Sequence, residues 1–255
     1  MSDEPRRSLY GDADAKSAED IKPLGMMDIL SGVFSEPVEL FQRLSKNPQW
    51  IGALVILTVS AILLTLAWAY RVDAVDYLMD QMERVGGAQL AKLSEADIER
   101  VVEIQARLLG PMSAISVLFM TPIVVFFSGL IWWGIGLMSR EDQNWRPTYM
   151  HGLVAAAVPG LVAVPYYIIG ALMAILKPVG MLRPDQIIPS SLGFWLQTDN
   201  IKLSVLYGKI DIFLLAGYVM LFFAMRHTLR AKPWGAALCV VLSLAMAASS
   251  VLFAK

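Results

Sequence analysis

Between Lys46 and Arg71 the chain carries no charged residue, and four later stretches are nearly as free of charge. That pattern constrains the fold more than any other feature. A run of roughly 18 or more apolar residues spans the hydrocarbon core of a bilayer as a helix, with every backbone hydrogen bond closed inside the segment. Composition agrees, since 56% of residues are hydrophobic and 17% charged. A soluble domain has about 45–50% apolar and about 25% charged residues. The expectation is an all-α, polytopic membrane helix bundle with five transmembrane helices. The spans fall at about 50–70, 112–138, 148–176, 205–225 and 233–253.

Residues 1–23 are polar and mixed in charge, and read as a disordered cytoplasmic tail rather than a signal peptide. The membrane domain then occupies 24–255. Its entry, from Leu24 to Lys46, is amphipathic rather than continuously apolar. Ser35-Glu36-Pro37 reads as a helix start. Phe34, Pro37, Phe41 and the following Trp50 mark an interfacial helix lying in the headgroup plane, or else a helix packed on the protein's own surface.

Residues 71–109 are too charged for lipid. Val75, Leu78, Met79, Met82 and Val85 form one helical stripe, Gly86-Gly87 breaks it, and Ser94-Glu95-Ala96-Asp97 carries a capping signature. This predicts an extracytoplasmic helical hairpin between spans one and two, able to run on into both. Span two holds Pro122. Span three holds Pro159, Gly160 and Pro165, where a kink or break is expected because freed backbone groups need new partners at membrane depth. An irregular, Pro-rich loop follows, from Lys177 to Asn200, in which Phe194, Trp195 and Leu196 could dip into the interface.

Basic residues favour the cytoplasmic side of short loops. Arg43 and Lys46, Arg140 and Arg146, and Arg226, Arg230 and Lys232 fall in three segments that five spans would place on one side. The N-terminus is then cytoplasmic and the C-terminus outside.

The order of these parts resembles the Ypt/Rab-interacting (YIP) membrane domain family in its bacterial form, over about residues 26–254. Ile29-Leu30, Phe34-Ser35-Glu36-Pro37, Phe41 and Asn47-Pro48-Gln49-Trp50 are similar to the family's entry into span one. Tyr149-Met150-His151-Gly152 with Ala155-Ala156-Ala157-Val158-Pro159 is similar to its third span. Lys209-Ile210-Asp211-Ile212-Phe213 is similar to the opening of its fourth. The eukaryotic members' Leu-Tyr-Gly-Pro-type motif is absent from its expected place; Ser8-Leu9-Tyr10-Gly11-Asp12 lies in the polar tail. The resemblance implies a plasma (inner) membrane location. By analogy with eukaryotic relatives it implies GTPase binding through cytoplasmic segments.

No catalytic constellation can be named. The two histidines, His151 and His227, lie on different spans without an evident third metal ligand, and Cys239 is the one cysteine. A net charge of −1 argues against nucleic acid as a partner. No metal or cofactor is expected. The candidate functional residues are Lys209 and Asp211, since charge within a span is costly and often functional. Two residues apart on a helix, their side chains point about 200° apart and should not pair. Three readings stay open: span four starts later and leaves both at the interface, Asp211 finds a buried polar partner such as Tyr166 or Tyr167, or the pair lines an ion path. The overall expectation is a non-enzymatic membrane protein organising partners or lipids. Its entry segment would wedge one leaflet, and its bundle would bind another membrane protein or a second copy. The alternative is a small transporter, channel or lipid-translocating protein using the broken third span.

Overall fold

A computed structural model describes residues 23–80, 82, 94–177, 179–180, 187–196, 198 and 200–252. The polar tail, Val85, Gly86-Gly87 and the far end of the fifth apolar stretch lie outside the described residues. Within them the chain is helical, with extended pairing only at isolated bridges such as Arg140 with Ala231 and Ser191 with Asp211.

The entry segment forms α1 (Met26–Ser35) and α2 (Pro37–Lys46), separated at Glu36, whose backbone leaves helical geometry at φ −144°. Pro37 suits the first turn of α2 because its missing N–H is not needed there. Next come α3 (Ile51–Arg71) and a helical stretch over 74–80. After Arg71 the chain turns away, and Asp73 N–H donates to the Gly180 carbonyl. The first arm of the predicted hairpin is therefore not continuous with the first apolar helix. The second arm is continuous with the second. Ser94 caps α4 (Glu95–Ser139) by accepting from Asp97 N–H at 3.2 Å, and the helix then runs unbroken for 45 residues through Pro111 and Pro122.

The third apolar stretch is α5 (Tyr149–Ala157), a 3₁₀ turn (Val158–Ala163) and α6 (Val164–Leu176). Beyond it lie the short α7 (Leu192–Trp195), α8 (Ile201–Lys209), α9 (Ile212–His227) and α10 (Pro233–Leu252). The fourth predicted span is thus two helices broken at Ile210-Asp211.

By length and composition, three described helices can cross a membrane: Ile51–Arg71, Ala96–Ser139 and Tyr149–Leu176. Met26–Ser35, Ile212–His227 and Pro233–Ser249 are shorter apolar helices. Large apolar side chains stand exposed along α4, with Phe119 at 62% and Phe127 at 67%. A soluble protein rarely exposes so continuous an apolar face; lipid satisfies it.

Direction follows from facing pairs. Gly160 meets Leu57 and Gly170 meets Leu64, so α3 and the broken helix run parallel. Trp50 meets Phe126, and Gly110 meets Ala69, so α4 runs antiparallel to α3. Gly136 meets Leu229 and Gly235 meets Ser139, which brings the ends of α4 and α9 beside the start of α10. The three basic segments consequently share one end of the bundle. Small residues make these approaches possible.

Candidate functional site

The broken third helix and the start of α9 face a common cavity. Pro159 has no N–H to give the preceding turn, which weakens a regular α-helix there. The backbone answers with the tighter 3₁₀ turn, and Pro165 sits in the first turn of α6, where a proline is tolerated. Gly160 lies against Leu57.

Across from this break stands Asp211. Its Oδ1 accepts from Phe213 N–H at 2.8 Å and Leu214 N–H at 3.1 Å, making it the N-cap of α9. Its Oδ2 accepts the Ser190 hydroxyl. The backbone beside it is pinned as well, since Leu192 N–H donates to the Ile210 carbonyl at 2.8 Å. A carboxylate is the right group here because it answers the unpaired N–H groups and the positive end of the helix dipole together. Lys209, the last residue of α8, is exposed and makes no hydrogen bond or ion pair with Asp211. Tyr166 stacks edge-on with Tyr167 and with Phe213, at 5.8 and 5.7 Å, and so faces the helix that Asp211 opens.

Pro159, Gly160, Tyr166, Tyr167 and Asp211 line a cavity of about 510 Å³, together with Ser128 and mostly apolar neighbours. Such a space suits an apolar chain or a packed side chain better than a hydrated ion. Among the described residues, no group of three His, Cys, Asp or Glu side chains could hold a metal ion.

At the basic end the entry segment is built into the bundle. Phe41 and Leu44 are fully buried, and Leu40 is nearly so. The Thr228 hydroxyl donates to the Phe41 carbonyl at 3.2 Å. His151 is buried and joins three segments. The Thr148 N–H donates to its Nδ1 at 3.1 Å, which leaves the ring proton on Nε2, and Nε2 then donates to the Ser45 carbonyl at 3.0 Å. Trp145 covers the ring edge-on at 5.3 Å, and the Arg230 guanidinium lies 4.1 Å above Trp145. Arg226 pairs with Glu141 at 2.6 Å. Phe34, by contrast, is half exposed, and Trp50 presents its indole N–H to the Met150 sulfur at 3.2 Å. The sequence signal for the His151 anchor was present as Thr148-x-x-His151 at a helix start, a pattern in which the third residue answers the cap's N–H.

A family model, the Yip1 domain, matches residues 31–254. The chain belongs to the Yip1 domain family. No curated protein and no solved structure matches it. The matched region begins within α1 and takes in α2 to α10, so the docked entry helix and the broken third helix both lie inside the Yip1 domain. With its lipid-facing apolar helices, this Yip1 domain is a multi-pass, membrane-embedded protein of a trafficking-type family.

Proposed function

We propose that this Yip1 domain is a non-enzymatic organiser of partners or lipids, held in a plasma (inner) membrane by five spans. The spans are α3, the apolar part of α4, the broken α5–α6 helix, α9 and α10. α9 has 16 residues, which makes it about 24 Å long against a hydrocarbon core of about 30 Å, so a locally thinned bilayer accompanies it. The basic end is cytoplasmic, as the distribution of Arg and Lys favours.

The observation that carries this reading is the way the entry segment is mounted. α2 turns its apolar side into the protein, while Met27 and Phe34 of α1 stay exposed beside Ile168 and Ile169 of α6. The result is a fixed apolar face continuous with the lipid-facing surface, suited to a neighbouring membrane protein's helix. A GTPase, by analogy with eukaryotic relatives, would meet the cytoplasmic end.

Photo-crosslinking from positions 27 and 34 in native membrane tests this. A discrete membrane-protein adduct, lost on Phe34→Glu, is expected; adducts to lipid alone at both positions would remove partner organisation from the reading. Transport draws support from the cavity joining Pro159-Gly160 with Asp211. Against it, both carboxylate oxygens of Asp211 already accept hydrogen bonds. Flux in reconstituted liposomes that disappears in Asp211→Asn would reverse this preference.

A further inference from the structure

The basic end holds a second, different cavity. About 400 Å³ in volume, it opens between α2 and the end of α9, and Arg43, Lys46, Arg226 and Arg230 line it with Gln42 and a single carboxylate, Glu39. Four cations converge here from α2, α9 and the connection that follows α9, and they are only partly offset by carboxylates. Arg226 is paired with Glu141. Arg230 rests on the face of Trp145, which attracts a cation without neutralising it. Among the described residues, Arg43 and Lys46 make no ion pair. Arg230 also holds a backbone φ of 49°, a left-handed conformation that is uncommon for a residue other than glycine. The fold keeps an arginine where glycine would fit with less strain, and the side chain it gains projects a guanidinium to this cavity.

Height completes the argument. Trp50, Trp133 and Tyr149 gather at the same end through the contacts of Trp50 with Phe126 and Trp133 with Tyr149. Such rings collect at headgroup level, and basic pockets between helices at that level hold acidic headgroups. We propose that the cavity binds a phosphate group, and that the phosphate is that of an acidic phospholipid headgroup. The inference rests on the membrane placement given above, but not on any protein partner.

The test uses the full chain in nanodiscs of phosphatidylcholine, with or without phosphatidylglycerol, and native mass spectrometry of the lipids retained after detergent exchange. Wild type is expected to retain phosphatidylglycerol over phosphatidylcholine. Arg43→Gln/Lys46→Gln should weaken that preference about thirtyfold, taking the typical contribution of two basic residues near an anionic surface. Both side chains are exposed, so folding should survive. Arg230→Gly should also weaken it, with an unchanged or raised thermal midpoint, because glycine relieves the strained backbone. Arg107→Gln, outside this cavity, should change nothing. Inorganic phosphate at millimolar concentration, added in pure phosphatidylcholine, separates the sources. If it raises the midpoint of wild type but not of Arg43→Gln/Lys46→Gln, and no phosphatidylglycerol preference exists, the ligand is soluble and the lipid assignment is overturned. Equal retention of both lipids with no response to phosphate would overturn the whole proposal. Crosslinks from Phe34 that persist in that event would leave partner organisation standing.

Discussion

Asp211 illustrates how one residue can be prominent in a sequence for a reason the sequence does not state. An aspartate at the head of an apolar run signals either a cost or a use. In the fold it caps α9 and holds the Ser190 hydroxyl. Asparagine caps as well as aspartate, whereas alanine leaves the first N–H groups without a partner, at a cost of about 0.5–2 kcal/mol. Asp211→Asn should therefore keep the thermal midpoint in detergent near wild type, and Asp211→Ala should lower it. An equal, large loss of stability in both would point to the charge rather than the cap. Gly152 is the opposite case, a residue with no polar chemistry to notice. A Cβ there would overlap the Gly129 carbonyl oxygen and stand 2.7 Å from the Trp133 Cβ. Overpacking of this kind costs about 1–3 kcal/mol, and backbone cannot rotate aside as a side chain can. Gly152→Ala should lower the midpoint, while Gly134→Ala, which meets nothing within 4 Å, should leave it in place or raise it. The resemblance marks Gly152 but not the reason for it, because the close contact belongs to the helix opposite.

At the scale of the element, the entry segment shows where periodicity stops being informative. An apolar stripe says that one side of a helix avoids water. It does not say whether lipid or protein covers that side, since both are apolar. Phe34 and Phe41 lie on neighbouring helices and look equivalent in sequence, yet Phe34 is 52% exposed and Phe41 0%. Truncating a fully buried phenylalanine costs about 3–5 kcal/mol, and an exposed one usually changes stability by less than about 0.5 kcal/mol. Phe41→Ala should thus release α2 and open residues 36–47 to protease, whereas Phe34→Ala should not. Equal protease resistance in the two variants would mean that α2 is not held by its core side. The helix breaks were more legible. Pro159 and Pro165, close together and joined by Gly160, marked the interruption, whereas the isolated Pro111 and Pro122 lie inside α4 without ending it. The continuity of α4 was less so. Its charged first turns and apolar remainder look like two elements, and Pro111 stands between them, yet the backbone stays helical through that proline.

For the whole molecule, the apolar runs located the helices at Ile51–Arg71, 149–176 and Pro233–Leu252 closely, since backbone desolvation leaves a chain few alternatives in lipid, but the fourth run hid the break at Ile210-Asp211. What they could not give is which basic segments meet. Arg43, Arg140 and Arg226 are far apart in sequence. They come to one end because α3, α4 and the broken α5–α6 helix alternate in direction and α9 returns to that end. This arrangement makes a side-specific prediction. Cys239 is buried and small, so Cys239→Ala should be tolerated and yields a cysteine-free background. In that background, single cysteines at exposed Asn144, Tyr70 and Lys202 can be challenged in intact cells with a membrane-impermeant maleimide. Tyr70 stands 86% exposed at the end of α3, and Lys202 lies in α8, both away from the basic end. Tyr70→Cys and Lys202→Cys should label from outside, and Asn144→Cys only once the membrane is opened. The inverse pattern would turn the protein over and place the phosphate-binding end outside the cell. Labelling of Tyr70→Cys but not Lys202→Cys would break the five-span count, because those two positions share a side only if the broken third helix crosses completely.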